Sequence, residues 1–541
     1  MRAGEVEDER IVAARLVLPA NHVEVFDTTL RDGMQVEGVS ASVVDKLRIA
    51  EQLDHLGVHY IEGGWPGANP KDEEFFARAK RELQLSTSRL VAFGSTRRPA
   101  GKVDDDATLR NLINDETSAV CIVAKSWDYH VETALQTTLD EGVAMVADSV
   151  KYLGSHDRMV MVDLEHFFDG YKRNPEFSLR VLEAAVVNGA THLVLCDTNG
   201  GSLPHEVESI VAAVAKHVGN DAIIGIHCHD DTGCAVANSL AAVRAGVRHV
   251  QGTLNGLGER TGNTNLTTII PNLQLKMGYT CLPEGRLDRL TAVSNHVAEV
   301  LNRPLNPQAP YVGASAFAHK AGLHVSAIAR AKDAYEHVSP DLVGNGTRFL
   351  VSEMAGRATI AMKAEELGLK ADGAVLSAIL DELKRLEFEG YHFEAADASL
   401  ELLMRRATGW QQEFFNVESM RVITDESASG TFTTEATVKV WIGEQREVHT
   451  SEGNGPVNAI DTALRACLVK KYPQLSRVHL TDYKVRILDS SSATGAVTRV
   501  LIDATDGDRT WTTIGVSPNI IEASWRALEE SLVYGLLHLT A

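Results

Sequence analysis

Short apolar runs recur through the first half of the chain, each followed by a longer stretch in which apolar positions return every three or four residues. The runs centre on Val23 to Phe26, Tyr60 to Gly63, Leu90 to Phe93, Val120 to Ala124, Val160 to Leu164, Leu193 to Cys196, Ile223 to His227 and Val250 to Leu254. Runs so short and so nearly continuous in apolar character suit strands of a parallel sheet covered on both faces. The segments between them, such as Ser42 to Leu56 and Cys234 to Ala245, carry the spacing of amphipathic helices. Eight such units over roughly 250 residues have the count and length of an N-terminal (β/α)8 TIM barrel. A doubly wound sheet would have fewer strands and a glycine-rich first turn, which this sequence lacks.

From about Leu287 to Thr408 the pattern is mostly helical, interrupted by the loop Asn302-Arg303-Pro304-Leu305-Asn306-Pro307, and reads as a lid or connector. From Trp410 it changes to strands and turns followed by a helix, twice over. The stretch Glu413 to Val448, then Gly453-Asn454-Gly455-Pro456 and a helix through Leu468, is echoed by Val478 to Thr513, then Gly515-Val516-Ser517-Pro518 and a helix through Leu537. The equal Gly-to-Pro spacing, with proline opening each helix, points to a duplicated βββα unit. The expected domains are a barrel over residues 1–285, helical connector subdomains over 286–409 and a C-terminal α+β domain over 410–541.

A chain of 541 residues with 44% hydrophobic content is long enough for several cores. Its 73 acidic against 52 basic residues, a formal charge of −21, argue against a general role in binding nucleic acid or an anionic membrane. Cys121, Cys196, Cys228, Cys234, Cys281 and Cys467 form no CxxC pair, so a reduced cytoplasm is the expected setting. The segment Met1 to Ala20 is broken by charges such as Glu5, Glu7, Asp8 and Arg10 and has no secretory apolar core. Nothing later is long and apolar enough to span a bilayer.

The chemistry is concentrated where the apolar runs end. His227 and His229 stand two residues apart at the end of the seventh run and so project from one face. Strand C-termini are where α/β enzymes place their active residues. Arg31, Asp32, Lys125, Glu165, Asp197, Thr198, Asn255 and Asn263 share that rim. Barrel closure sets the first strand beside the eighth and one removed from the seventh, so Asp32, both histidines and the loop Gly256 to Asn263 meet. Two imidazoles and a carboxylate with open positions suit Zn, Mn, Fe, Co or Mg and differ from a closed thiolate zinc site. Taken singly, either histidine reads as a hydrogen-bonded strand-end residue, Arg31 as half of a rim ion pair and Glu165 as a helix cap. Cys196 and Cys228 read as small strand packers.

Three segments carry a family resemblance. Thr29-Leu30-Arg31-Asp32-Gly33-Met34-Gln35, the stretch His227 to Asn238, and Asn255 to Asn263 resemble the signatures of the 2-isopropylmalate, homocitrate and citramalate synthase family. Within it, Tyr60 to Asp72 is similar to the citramalate branch. One departure is Asp230, where the family often has asparagine. The resemblance implies condensation of acetyl-CoA with a 2-oxo acid, pyruvate for the citramalate branch, followed by thioester hydrolysis. It implies a divalent metal (Mg, Mn, Zn or Co) on Asp32, His227, His229 and Asn263, with Arg31 stabilising enolate and alkoxide charge. Glu165 would assist removal of the acetyl proton or orient the acetyl group, and Thr198 would bind the oxo acid's carboxylate. His324, within Ala318 to Val325, would be a general acid or base accompanied by Tyr335, reaching the active site of a partner subunit. Phe93 is a candidate wall of the oxo-acid pocket, leaving room for a methyl but not an isopropyl group.

The resemblance further makes the C-terminal domain a dimeric regulatory module that binds the end-product amino acid. For the citramalate branch this is isoleucine, an allosteric inhibitor, held by loops Ser427 to Gly430 and Ser490 to Gly495. Rival readings are 2-isopropylmalate synthesis from 2-oxoisovalerate, a metal-dependent lyase or aldolase on the same rim, and a non-catalytic amino-acid sensor. The intact set Arg31, Asp32, His227 and His229 argues against the last. Deleting Trp410 to Ala541 is expected to leave metal binding intact and abolish isoleucine sensitivity. Inhibition retained by a folded truncation contradicts that assignment.

Overall fold

The computed structural model describes residues 18–319, 327–328, 331, 335–349, 351, 356–426, 428–488, 493 and 495–539. Contacts divide the chain into two compact units, one of Met1–Phe317 with Val338–Gly346, the other of Ala318–His337 with Thr347–Ala541.

In the first unit eight parallel strands close into a barrel in sequence order: β1 (Glu24–Asp27), β2 (Tyr60–Gly64), β3 (Arg89–Ser95), β4 (Ala119–Lys125), β5 (Met159–Glu165), β6 (His192–Asp197), β7 (Ile223–Cys228) and β8 (His249–Gly252). Closure runs through four β1–β8 partners, Glu24 with His249 through to Asp27 with Gly252. The helices between strands start where the sequence provides stop and start signals. Ser42 and Asp45 form a reciprocal capping box at Val43–Leu56. Asn69 caps Pro70–Glu82 and Asn174 caps Pro175–Val187, each with proline at the helix start. Among the described residues no helix is long and apolar enough to cross a membrane.

Strand alternation sorts the barrel into two layers. Ile224, Ile226 and Cys228 of β7, Val250 of β8 and Val160, Val162 and Leu164 of β5 join the core under the outer helices. Their neighbours Gly225, His227, His249, Gln251, Met161 and Asp163 therefore point into the barrel. A separate interior cluster of Phe26, Tyr60, Val91, Phe93, Ala119, Cys121 and Met161 fills its middle. The eighth strand is shorter than its apolar run predicts, ending at Gly252 with Leu254–Gly256 in a 3-10 turn. A side chain at 252 would meet the Thr264 carbonyl at 2.4 Å, so glycine lets the returning loop close over the strand end.

The second unit carries two-residue pairing of β9 (Ala318–His319) with β10 (Arg348–Phe349), then helices Arg357–Glu366, Gly373–Phe388 and Asp397–Ala407. Two antiparallel three-stranded sheets follow. They are β11 (Asn416–Glu426), β12 (Phe432–Ile442) and β13 (Gln445–Gly453), then β14 (His479–Ile487), β15 (Thr498–Thr505) and β16 (Thr510–Ser517). Helices Pro456–Leu468 and Ile520–His538 complete the duplicated βββα unit, and their apolar faces share one core with both sheets. Of the two loops named for isoleucine, Ser427 and Ser490, Ser491, Ser492 and Thr494 lie outside the described residues, as does His324.

The N-terminal end of the barrel is closed by a buried polar layer. Glu24 Oε2 lies 2.8 Å from His192 Nε2 and 3.4 Å from His249 Nδ1, and Tyr60 donates its hydroxyl to Glu24 Oε1 at 3.1 Å. Burial opposes the charge on Glu24, but the hydrogen bonds from the two histidines win and hold its carboxyl well below the ordinary 4.5. A carboxyl whose folded value is depressed stabilises the fold above its unfolded value, and that contribution fades as the pH falls towards the folded one. Glu24→Gln is therefore expected to destabilise the barrel by about 3 kcal/mol at neutral pH, with the deficit shrinking in acid. Thermal unfolding of the full-length protein across pH 3 to 7 checks both statements.

Candidate active site

The turn after β1 is held by its own side chains. The buried Asp27 accepts from the Thr29 amide at 2.8 Å and the Thr29 hydroxyl at 2.9 Å. Thr29 Oγ1 in turn accepts from the Leu254 amide beyond β8, which ties the two strand ends together. This turn presents Arg31 and Asp32. Arg31 donates from Nε to Glu62 of β2 at 2.6 Å, and its guanidinium lies 3.9 Å over the Phe93 ring. Trp65 packs edge-on against Phe93 at 5.4 Å, and with Arg31 it lines a cavity of about 700 Å3 bounded also by Leu30, Met34, Gln35 and Asp72. Burial works to discharge Arg31, but Glu62, Asp32 and Asp163 outweigh it and raise its pKa further. Burial also pushes Glu62 up to about 7, against the pull of Arg31.

Asp32, His227 and His229 come together at this end of the barrel. Asp32 Oδ2 lies 3.2 Å from His227 Nε2 and 3.9 Å from His229 Nε2. The three offer ligand atoms all within 4.8 Å of one another, and all three side chains are buried. Burial opposes ionisation of Asp32, yet Arg31 and His227 hold its carboxyl well below the usual range. Burial pulls His229 down to about 4, with His227 adding to the effect. The loop after β8 brings Asn263 beside His229 across an isolated antiparallel bridge. Gly258 has φ +146, and a side chain there would come within 2.2 Å of Asn263 Nδ2. Its absence lets that amide nitrogen donate to the Leu257 carbonyl at 3.2 Å, which fixes which end of the amide is the oxygen.

These residues fit a divalent cation on two counts. Asn263 Oδ1 is buried with no hydrogen-bond partner, a costly state for a polar atom that a cation at this site relieves. The donor set of carboxylate, imidazoles and amide oxygen is that of an open site for a cation of intermediate hardness.

The remaining rim residues divide. The Lys125 ammonium is paired with the Glu165 carboxylate at neighbouring strand ends. The Thr198 hydroxyl accepts from the His166 amide at 2.9 Å, leaving its own proton available, and the Thr198 carbonyl receives Arg260, which also pairs with Asp231. Asn255 exchanges hydrogen bonds with Ser294, and Asp197 accepts from Ser202, so both serve the loops. Asp230 accepts from the Ala235 amide at 2.8 Å, steadying the start of helix Ala235–Arg244. Tyr335 belongs to the second unit and is 49% exposed. Cys196 and Cys228 are buried packers whose thiols burial pushes well up. Sequence reasoning passed over Glu62, Trp65, Asp163 and Gln251. The signal for Asp163 and Gln251 was present as polar residues at inward positions of otherwise apolar strands.

Residues 22–297 match the family model described as HMGL-like, 311–390 a homocitrate synthase post-HMGL domain-like model, and 394–536 the LeuA allosteric (dimerisation) domain. Barrel, rim and domain series together define an HMGL-like barrel enzyme with a LeuA-type C-terminal domain. An (R)-citramalate synthase of Aquifex aeolicus is 52% identical over 96% of this chain and 98% of that protein. One of Streptomyces coelicolor is 53% identical over 95% of this chain and 96% of that protein. A 2-isopropylmalate synthase of Shewanella baltica is 31% identical over 94% of each. The chain belongs to the family of the (R)-citramalate synthases.

Proposed function

We propose that the chain condenses acetyl-CoA with pyruvate and water to give (R)-citramalate and free CoA, with Asp32, His227, His229 and Asn263 holding a divalent cation (Mg, Mn, Zn or Co). The observation that carries the choice of pyruvate is identity of 52% and 53% to (R)-citramalate synthases over nearly the whole chain, against 31% to a 2-isopropylmalate synthase. When bound, the cation supplies Lewis-acid polarisation of the keto group and a counter-charge for the alkoxide that forms from it.

The chain's own residues do the rest. Arg31 is locked by Glu62 at one edge and Phe93 on one face, so its guanidinium is preorganised where charge develops on the enolate and alkoxide oxygens. The Thr198 hydroxyl, already accepting from His166, donates to the carboxylate of the oxo acid. Phe93 limits the oxo acid's side chain. Glu165, held by Lys125, assists as a C–H bond of the acetyl methyl breaks, or orients that group. The resulting carbon nucleophile bonds to the keto carbon, and the alkoxide takes up a proton. His324 of the partner subunit serves as general acid or base, accompanied by Tyr335. Water then cleaves the thioester and CoA leaves as the thiol.

The match to the LeuA allosteric (dimerisation) domain supports a homodimer under allosteric control; in this reading the protein is cytoplasmic and isoleucine, the end product of a threonine-independent route that opens with this condensation, inhibits the barrel. Coupling of about 1 to 3 kcal/mol between the two sites is enough for such control.

The test is free-thiol release by full-length protein with acetyl-CoA, a divalent metal and either pyruvate or 2-oxoisovalerate, with and without isoleucine. Release with pyruvate, suppressed by isoleucine, is expected. Preference for 2-oxoisovalerate moves the assignment to isopropylmalate synthesis, and turnover without acetyl-CoA to a lyase. Arg31→Lys is expected to lower kcat by about 10^2- to 10^3-fold while metal content, read by elemental analysis, stays at the wild-type value.

A further inference from the structure

A line of hydrogen bonds crosses the barrel interior and ends on one of the proposed ligands. Gln251 of β8 stands in register with His227 of β7, and its Oε1 lies 2.8 Å from His227 Nδ1. Its Nε2 donates to Oδ1 of Asp163 on β5 at 2.9 Å. His227 and Asp163 are each 4% exposed and Gln251 is fully buried, so water cannot substitute for either contact.

The order of donors along this line is forced. A carboxylate only accepts, so Asp163 admits the amino end of the Gln251 amide and turns its oxygen towards His227. An amide oxygen also only accepts, so His227 keeps a proton on Nδ1, which leaves Nε2 as the nitrogen that can meet a cation. Nε2 is the nitrogen 3.2 Å from Asp32. Reversing the amide would set its oxygen against the carboxylate and move the lone pair to the wrong side of the ring. The amide also keeps the Asp163 charge one residue away from the imidazole, where a carboxylate at 251 would add a second anion close to Asp32.

We propose that Asp163 and Gln251 are positioning residues of the cation site: Asp163 orients the Gln251 amide, and Gln251 fixes the tautomer and ring angle with which His227 meets a divalent ion. This rests on the reading of Asp32, His227, His229 and Asn263 as ligands. The partner of a ligating histidine is commonly a carboxylate or carbonyl, and its loss lowers metal affinity by about 10- to 100-fold.

The experiment measures the dissociation constant of Mn2+ by chelator competition on the full-length protein. The imidazole tautomer is read by 15N spectra of histidine-labelled, metal-free protein, and thermal unfolding serves as the folding control. Q251L is expected to bind Mn2+ about 10- to 100-fold more weakly and to lose the Nδ1–H signature of His227. D163N, whose amide can present either end, shifts affinity and tautomer in the same direction by less. The double variant Q251E/D163N restores the order of donors, since the amide introduced at position 163 donates to the carboxylate introduced at position 251, and that carboxylate accepts from His227. It should recover affinity relative to Q251E alone. Wild-type affinity in a folded Q251L overturns the inference, as does failure of the double variant to recover. If Q251L does not fold, unchanged affinity and tautomer in D163N overturn it. A wild-type protein that binds no divalent ion removes the ligand reading itself, and this inference with it.

Discussion

The β1–β8 pairing that closes the barrel is the constraint on which the site depends. Four backbone partners bring Asp27 level with Gly252, and the Thr29 hydroxyl then receives the Leu254 amide. Only in a closed barrel does the turn bearing Arg31 and Asp32 face the ends of β7 and β8, which lie more than 190 positions further along the chain. An open sheet would leave Asp32 exposed at an edge, with its carboxylate hydrated and its histidine partners far away. Closure also removes the edge strands that an open sheet must protect.

Closure sets a second problem, because inward side chains are cut off from water at every level. The interior solves it by layers. At the N-terminal end Glu24, His192, His249 and Tyr60 satisfy one another, an apolar cluster around Phe26 and Met161 fills the middle, and the polar set reappears towards the C-terminal end. There Arg31 is the cation that offsets Glu62 and Asp32, which is why a carboxylate buried to 4% exposure still favours its charged form. Its preorganised guanidinium is both the electrostatic support of the site and its proposed catalytic donor.

The C-terminal domain follows different physics. Its sheets are antiparallel, and buried residues alternate with exposed or half-buried ones along β12 and with half-buried ones along β15, so each sheet has one face that a helix covers. Duplication provides this cover twice, with Pro456–Leu468 and Ile520–His538 sharing a single core. A module built this way folds around its own interior, and its second sheet also packs Ile514 and Val516 against the helices that precede it in the chain.

The eight strands, the duplicated βββα unit and the pair His227 and His229 were legible in the sequence because each rests on short-range periodicity: continuous apolar runs, repeated Gly-to-Pro spacing, and the two-residue repeat of a strand. Arg31 and Asp32 were legible as strand-end residues, and the family signatures attached expected roles to them. The sequence could not assign partners. Asn255 and Asp197 stood on the same rim by position, yet their side chains went to Ser294 and Ser202 to hold loops. Gln251 and Asp163, 88 positions apart, looked like isolated polar residues in two apolar strands until the barrel set one against the other. A side chain's face is fixed by its neighbours in sequence, so alternation can be read locally. What meets it across a closed interior is fixed by strand order and register, which come only with the tertiary fold.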